Sequence, residues 1–381
     1  MPPRKHAILS ASSANRWLAC PPSALLNAEL PETTSDAAEE GTAAHALAEH
    51  KLLKALGMKT RRPRKNKWHD ADMDEHTNDY AEFVLETLRD CQTVCPSAHP
   101  MIEQQLDFSK WVPDGFGTGD CVIVSEPDLW VIDFKYGKGV EVNSEGNPQM
   151  MLYALGAIDI YSALYDVEGV NMAIFQPRLG SISIAHMTRA ELETWAEQTL
   201  KPTAELAISG GGEYAAGKWC QFCKIGATCR ARAEKNLELA RMDFKPAPEL
   251  SDAEIATVLT RIGELKKWSE KVEGYALDSA MKGKVFPGFK LVEGRSIRKI
   301  TDDTEAAKRL TAAGLTEAEI YTKKLAGLTA FQKLLGKERM NRVIGELITK
   351  PAGKPVLVPE SDKRPPMALN TPETDFQPIN Q

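Results

Sequence analysis

Two acidic residues and a lysine lie close together near the middle of the chain, where short apolar runs alternate with turns. Asp120 belongs to the run that starts Gly117-Thr118-Gly119, and Asp133 and Lys135 flank Phe134 at the end of the next run. Paired carboxylates suit Mg²⁺ or Mn²⁺, hard cations that prefer oxygen ligands. Such an ion lowers the pKa of a bound water and stabilises charge on a phosphate that is being cut. Lys135 would add a positive point charge beside it.

A surface hairpin with a salt bridge is the plainer interpretation of these residues, because Asp-x-Lys is a common triplet. Its position favours chemistry. Trp130, Val131 and Ile132 predict a buried strand, and a buried strand that ends on Asp and Lys is locally unfavourable. Alternation along the strand places Asp133 and Lys135 on one face.

Four further side chains could reach the same site. His45 lies inside an early predicted helix and is a candidate metal ligand; a helix histidine satisfied by a hydrogen bond is the alternative. Glu103 begins the strand before Asp120 and could add a carboxylate, or it is an exposed strand residue. Gln149 and Tyr153 lie four residues apart on one helical face, where they could reach one site or form an ordinary amphipathic surface.

Three cysteines crowd into ten residues as Cys220-x₂-Cys223-x₅-Cys229. A tetrahedral metal site or a cubane cluster needs a fourth ligand, and this motif contains no histidine that could provide it. Cys20 is the candidate, because it lies just before a proline in a well-marked N-terminal segment. The spacing alone leaves zinc and an iron–sulfur cluster equally open.

The elements that must position these residues predict an α/β domain. Helices are predicted from Asp36 to about Leu56, over Glu75–Cys91, over Pro148–Leu164 and over Arg189–Ala207, with a basic and polar loop over much of 60–78. Strands are predicted at Met101–Phe108, Gly117–Ser125, Leu129–Phe134, Val170–Gln176 and Ser181–His186. This order predicts a mixed central sheet flanked by helices.

The chain divides into three predicted parts. Residues 1–245 carry all the candidate sites, and residues 246–350 predict a mainly helical region without a motif for chemistry. In that region a long helix capped by Ser251 precedes a strand pair near 288–300 and helices near 304–313, 317–325 and 328–335. Residues 351–381 are rich in proline and polar residues, which predicts an extended or disordered tail.

Composition is that of an ordinary soluble protein. The net charge of −6 does not indicate a general nucleic-acid binder, although basic clusters occur at 61–67 and 230–235, each more simply a solvated face. No apolar run approaches the roughly 20 residues that span a bilayer, and no signal peptide is evident, so a cytoplasmic protein is expected. Disulfides are not expected there, and the remaining thiols are predicted core or incidental residues: Cys91, Cys95 and Cys121.

These motifs occur in a characteristic order: G-T-x-x-H at 41–45, Glu103, G-x-x-D at 117–120, D-x-K at 133–135 and Q-x-x-x-Y at 149–153. The set resembles the RecB branch of the PD-(D/E)xK nuclease superfamily, over about residues 8–235. Gly119 replaces the usual proline, and the second acid is Asp133 in place of Glu, as the RecB branch tolerates. The opening LSASSANRWLACPPS and the later CKIGATC are similar to a phage and prophage family of this branch, and a weaker likeness extends through the tail.

The resemblance implies a restriction-endonuclease-like core and a role for each matching position. The metal would be bound by His45, Asp120, Asp133 and the backbone carbonyl of Phe134, with Glu103 as a further carboxylate. Lys135 would be the catalytic lysine, and Gln149 and Tyr153 would support the site and the DNA strand.

The resemblance also favours an iron–sulfur cluster over zinc at the cysteine site. A subset of RecB-like nucleases has one cysteine before the core and three after it, and these hold a 4Fe–4S cluster with an architectural role. On this basis an iron–sulfur cluster is expected at Cys20, Cys220, Cys223 and Cys229, with Zn²⁺ as the alternative.

The function expected from this resemblance is a Mg²⁺- or Mn²⁺-dependent deoxyribonuclease in the bacterial host cytoplasm, an exonuclease that processes DNA ends in phage recombination or replication. DNA is the expected partner, the resemblance leaves room for a phage single-strand-binding or recombination protein, and no membrane is involved. Polarity, strand preference and oligomeric state stay open. One alternative is a catalytically weak DNA-binding or scaffold protein on the same fold; another is a zinc-stabilised adaptor that binds a protein partner through its C-terminal helices.

Overall fold

Five strands form one mixed sheet in the order β1-β2-β3-β4-β5. The strands are β1 (His99–Asp107), β2 (Phe116–Val124), β3 (Asp128–Phe134), β4 (Gly169–Gln176) and β5 (Ser181–Thr188). Neighbours are antiparallel except β3 and β4, which are parallel. A parallel pair needs a long crossover connection, and the helix α5 (Pro148–Tyr161) lies within it.

The structure is a computed structural model that describes residues 7–31, 34–240, 251–290, 292, 302–312, 316–321 and 336–348. The chain divides into two compact units, Met1–Leu291 and Val292–Gln381. Every candidate site residue lies in the first unit. Within the described residues, no helix combines the length and the apolar character that crossing a membrane requires.

Two long helices cover one face of the sheet. Helix α3 (Asp36–Ala55) begins at Ser35, whose hydroxyl accepts the amide hydrogen of Ala38, and helix α4 (Ala71–Val94) begins at Asp70. Their apolar side chains pack against those of the sheet, among them Ile132 and Phe134. The same core buries the three scattered thiols, as predicted: Cys91, Cys95 and Cys121.

The other face is covered by α5 and by helices that precede β1 and follow β5 in the chain. Asn147 caps α5 by accepting amide hydrogens with its side chain, and Pro148 occupies the first turn. Around α5 pack the short helices α1 (Ala14–Ala19) and α2 (Ser23–Ala28), and α6 (Arg189–Trp195) and α7 (Lys201–Ile208). Strand β3 is apolar on both faces because helices cover both.

A cysteine-bearing segment follows α7. It contains a 3-10 turn, Lys218–Phe222, and leads into α8 (Arg230–Ala240). The long helix α9 (Asp252–Met281) starts with a capping box between Ser251 and Glu254 and belongs to the first unit. The second unit contains α10 (Asp303–Ala312), α11 (Glu317–Ile320) and α12 (Lys337–Ile344).

The sequence predicts the sheet and its flanking helices correctly, with three differences. Helix α4 begins at Ala71, earlier than predicted, because the Asp70 carboxylate caps it by accepting the Met73 amide hydrogen at 2.8 Å. The helix predicted over 189–207 contains a π-helical stretch, Ala196–Leu200. Helices α2, α8 and α12 were not predicted. The predicted strand pair near 288–300, the helix near 328–335 and the tail lie largely or wholly outside the described residues.

Candidate metal site and cysteine site

Three carboxylates occupy matching positions on three neighbouring strands. The β1–β2 register places Glu103 opposite Asp120, with paired residues on either side. Continued by one position, the β2–β3 register places Asp133 opposite Asp120. Like charges directly opposite one another destabilise a sheet. We therefore expect a positive charge, from a basic side chain or a bound cation, close to these three carboxylates.

The backbone ladder opens around Asp120. Glu103 has a φ of 49°, in the left-handed region that non-glycine residues rarely adopt, and it is left out of the β1–β2 pairing. On the other side, the β2–β3 pairing stops at Cys121. There the carboxylate of Asp120 accepts the amide hydrogen of Phe134 with Oδ2, at 2.7 Å. The side chain of Asp120 thus takes the place of a backbone acceptor for the Phe134 amide, and this hydrogen bond fixes it in the gap between the strands.

A histidine and two acids converge at this gap. The Nδ1 atom of His45, on α3, lies 3.0 Å from Oδ1 of Asp120. His45, Glu103 and Asp120 each offer one ligand atom, and these atoms all lie within 4.8 Å of one another. Nitrogen and oxygen donors at this separation could hold a divalent cation. The backbone carbonyl of Phe134, also a predicted ligand, belongs to the last residue of β3, directly after Asp133.

Asp133 lies on the α5 side of this group and is 3% exposed. Its Oδ1 accepts hydrogen bonds from Lys135 Nζ at 3.2 Å and from Gln149 Nε2 at 3.0 Å. Lys135 Nζ also donates to Gln149 Oε1 at 3.1 Å. Oδ2 of Asp133 is buried and forms an ion pair with Lys135 Nζ at 2.9 Å, but this contact lacks hydrogen-bond geometry, so Oδ2 keeps a lone pair without a donor among the described residues. That open lone pair fits an additional metal ligand.

The lysine of this group stays charged. Burial lowers the pKa of Lys135, but the carboxylates of Asp133 and Asp120 raise it more, so the net shift is upward. Burial raises the pKa of Asp133, and the Lys135 ammonium opposes that rise. Lys135 is therefore a fixed positive charge and a hydrogen-bond donor at neutral pH, and it is not suited to act as a proton acceptor.

The cysteine site joins the N-terminal helices of the first unit to the segment that follows α7. Cys20 is the C-cap of α1, and α1 packs against the turn Lys218–Phe222. The side chain of Asn27, on α2, donates to Sγ of Cys223 at 3.3 Å, and its oxygen accepts the amide hydrogen of Lys224 at 2.8 Å. The amide of Gly217 donates to Sγ of Cys220 at 3.4 Å. Metal-bound thiolates commonly accept hydrogen bonds of this kind from nearby N–H groups.

Two cations reach this site from the helical side. The ammonium of Lys271, on α9, donates to the carbonyl oxygens of Cys223 at 2.5 Å and Gln221 at 3.3 Å. Arg232, on α8, is 1% exposed; it donates to Gly226 O at 3.2 Å and to Glu264 of α9 at 2.6 Å. Both cations approach closely enough that a Cβ on Gly226 would lie 2.9 Å from each. Burial raises the pKa of the Cys220 thiol, and the charge of Arg232 partly opposes that rise.

The structure does not bring the four predicted cysteine sulfurs into one compact group. Within the described residues, no three of them have sulfurs that all lie within 4.8 Å of one another.

A family model described as "Protein of unknown function (DUF2800)" matches residues 6–365. The chain belongs to the DUF2800 family. Among solved structures, the crystal structure of SSO0001 is similar over 49% of this chain and 95% of that chain, with 14% sequence identity and a TM-score of 0.21. A similarity at that TM-score carries no argument about fold or function.

Three residues of this DUF2800 protein support the sites but were not predicted from its sequence. Glu49 follows His45 by one helical turn, and its charge contributes to raising the pKa of Glu103; its spacing from His45 was the available signal. Gln176, buried at the end of β4, accepts the Val142 amide hydrogen at 2.7 Å and so holds the loop after Lys135. Asn27 had no signal, because its partners lie almost 200 residues away.

The metal affinity of this DUF2800 protein will depend on pH. Without metal, burial raises the pKa of Glu103 to about 7, helped by the charges of Asp120 and Glu49. Since a metal ion binds the carboxylate, the proton must leave on binding. Glu103 alone will therefore lower Mn²⁺ affinity by up to about tenfold per pH unit below pH 7. His45 will steepen the fall, because burial lowers its pKa but Asp120 raises it more, and it must also lose its proton to bind the ion. Calorimetric titrations at pH 6, 7 and 8 measure this, and Glu103→Gln should flatten the profile. Equal wild-type affinity at pH 6 and pH 8 would contradict the assignment.

A methyl group at Gly117 will disturb the site from the α5 side. A Cβ there would lie 2.7 Å from Cε1 of Tyr153, a clash with a ring packed in the core. Gly117→Ala should lower the free energy of unfolding by about 1–3 kcal/mol, the usual effect of overpacking, and should displace Tyr153. Gly137→Ala is the matched control, because an added Cβ there meets no atom within 4 Å. Urea unfolding of both variants measures the difference, and equal stabilities would show that Tyr153 moves freely.

Proposed function

We propose that this chain is a metal-dependent DNA nuclease of the RecB-like PD-(D/E)xK type. The observation that carries the proposal is the row of Glu103, Asp120 and Asp133, with His45 at one side and the protonated Lys135 at the other. Salt bridges explain Asp133 with Lys135 and, when His45 is protonated, Asp120 with His45, but they leave Glu103 without an ion pair among the described residues. A divalent cation held by acids beside a fixed positive charge is one established way of catalysing phosphodiester hydrolysis.

In the proposed site, His45, Glu103 and Asp120 would hold a Mg²⁺ or Mn²⁺ ion, joined by Oδ2 of Asp133. The bound ion would lower the pKa of a water molecule and draw charge from the phosphate. The chain's own residues supply the rest. The Phe134 amide orients Asp120, and Gln149 orients both Asp133 and Lys135. Lys135 then offers a preorganised positive charge, stabilising negative charge that develops on the phosphate.

The cysteine site is proposed to hold a 4Fe–4S cluster through Cys20, Cys220, Cys223 and Cys229. The resemblance supports the cluster over Zn²⁺, which stays the alternative, and the N–H donors to sulfur fit thiolates bound to either. The cluster would supply a cross-link between the N-terminal helices and the segment that leads into α8. We assign it no redox role.

The biological role is proposed from the resemblance alone. It favours an exonuclease that processes DNA ends in phage recombination or replication, in the bacterial cytoplasm, with a single-strand-binding or recombination protein as a further partner. Strand polarity and the preference for single or double strands follow from neither the motifs nor the site geometry.

End-labelled linear DNA, single- and double-stranded, and covalently closed circular DNA test the proposal together. Protein purified without oxygen should degrade a linear substrate with Mg²⁺ or Mn²⁺ and should not act in EDTA. Cleavage of linear but not circular DNA would assign an exonuclease, and cleavage of both an endonuclease. Binding without cleavage by cluster-loaded protein, in every metal, would support the DNA-binding or scaffold alternative instead.

A further inference from the structure

The loop between α3 and α4 concentrates positive charge on a chain that is acidic overall. Residues 59–67 contain six lysines and arginines and no acid, although the whole chain carries a net charge of −6. We call these nine residues the basic loop. Two of its cations have acidic partners: Arg62 lies 3.6 Å from Asp74, and Lys67 lies 3.4 Å from Asp36.

The other four cations of the basic loop are exposed and make no ion pair with any residue that the structure describes: Lys59, Arg61, Arg64 and Lys65. Like charges so close in sequence repel one another, and the repulsion costs stability unless an anion relieves it. The basic loop therefore presents a positive surface that lacks a counter-charge of its own.

This positive surface lies against the helix that carries the candidate metal ligand. A cleft of about 700 Å³ separates the basic loop from α3. Arg64 and Lys67 line one side of the cleft, and Thr42 and Ala46 line the other. Thr42 precedes His45 by one turn and Ala46 follows it directly, so the cleft and the metal site share one stretch of α3.

We propose that the basic loop binds the phosphate backbone of the DNA strand that is cut at the metal site. Arginine forks match phosphate geometry and lysines add point charges, so Arg61, Arg64 and Lys65 suit a polyanion. A DNA backbone is favoured over an acidic protein because a site for phosphate chemistry adjoins the loop. This inference rests on the proposed nuclease function, and it names the surface through which that site receives its substrate.

The test is DNA binding measured without cleavage. Fluorescence anisotropy of labelled single-stranded and duplex DNA, in EDTA and over a series of salt concentrations, compares wild type with the triple variant R61Q/R64Q/K65Q. Each phosphate contact contributes about 0.9 to the slope of log affinity against log salt for duplex DNA, and about 0.7 for single strands. The triple variant should bind at least about tenfold more weakly and should lower the slope by about 2–3.

A matched control removes the same charge elsewhere. K266Q/K267Q/K282Q neutralises three exposed lysines on or at the end of α9, and it should bind DNA like wild type. Equal losses in the two triple variants would overturn the proposal, since only net charge would then matter. Unchanged binding by the basic-loop variant would also overturn it, and it would leave the nuclease proposal intact. Wild-type protein that neither binds nor cleaves DNA would overturn both. If the triple variant misfolds, DNA binding is measured with the single variants Arg61→Gln and Lys65→Gln instead.

Discussion

Replacing Lys135 with alanine will lower the single-turnover rate of DNA cleavage by about 10²–10³-fold, the usual cost of removing one preorganised charge from a transition state. The reason is geometric: Nζ of Lys135 is held by Asp133 and Gln149, at 2.9 Å and 3.1 Å, so its charge is already in place before substrate arrives. DNA affinity in EDTA should stay within about twofold of wild type, because the side chain is largely enclosed in the site.

Lys138→Ala is the control for this prediction. Lys138 is an exposed lysine three residues further along the same loop, so both variants remove one positive charge from one segment. The control should cleave DNA at the wild-type rate. A Lys135→Ala enzyme whose rate lies within about threefold of wild type would show that Lys135 only pairs with Asp133. Single-turnover kinetics with saturating enzyme separates this effect from any change in binding.

Cys220→Ser is expected to abolish the iron–sulfur cluster and to destabilise the first unit. The purified wild-type protein should be brown, with broad absorbance near about 400 nm from iron–thiolate bonds, and the variant should be colourless. Loss of the cross-link between α1 and the turn Lys218–Phe222 should cost several kcal/mol, about the effect of losing a native disulfide. For a unit of this size the thermal midpoint should fall by about 10 °C.

Cys95→Ala controls for the loss of a buried thiol. Cys95 packs in the core on the α3–α4 side, away from the predicted cluster, so its variant should keep the colour and most of its stability. Iron and sulfide analysis with absorbance spectra decides between the two cofactors. A colourless wild-type protein with one zinc ion per chain would establish the zinc alternative. A Cys220→Ser protein that keeps the full iron content would contradict the assignment of that ligand.

The sequence was sufficient to predict the elements that local patterns determine. Helix α3 follows from an amphipathic pattern, and β2 and β3 follow from short apolar runs between turns. Alternation along a strand then predicts that Asp133 and Lys135 share a side, and the structure brings their charged atoms to 2.9 Å. These inferences need only neighbours in sequence, which is why they succeed.

Other features depend on contacts between distant segments. The left-handed backbone of Glu103 and the gap around Asp120 arise where three strands meet. No pattern in the local sequence predicts them, because they depend on the neighbouring strands. The same holds for α9, which the sequence assigned to a region without chemistry. Its Lys271 donates to carbonyls of the cysteine turn about 50 residues earlier in the chain. Helical periodicity predicts that α9 exists, but it cannot say which surface α9 packs against.

The most direct test of the metal site compares Mn²⁺ binding and DNA cleavage in wild type and Asp120→Asn, measured on the same preparations. Asparagine keeps an oxygen that can accept the Phe134 amide hydrogen, so the gap between strands should persist while the negative charge is lost. We expect Mn²⁺ affinity and the Mg²⁺-dependent cleavage rate each to fall by at least about 10²-fold, with an unchanged thermal midpoint in EDTA. Wild-type affinity and wild-type cleavage in Asp120→Asn would contradict the account, because the active metal would then lie elsewhere.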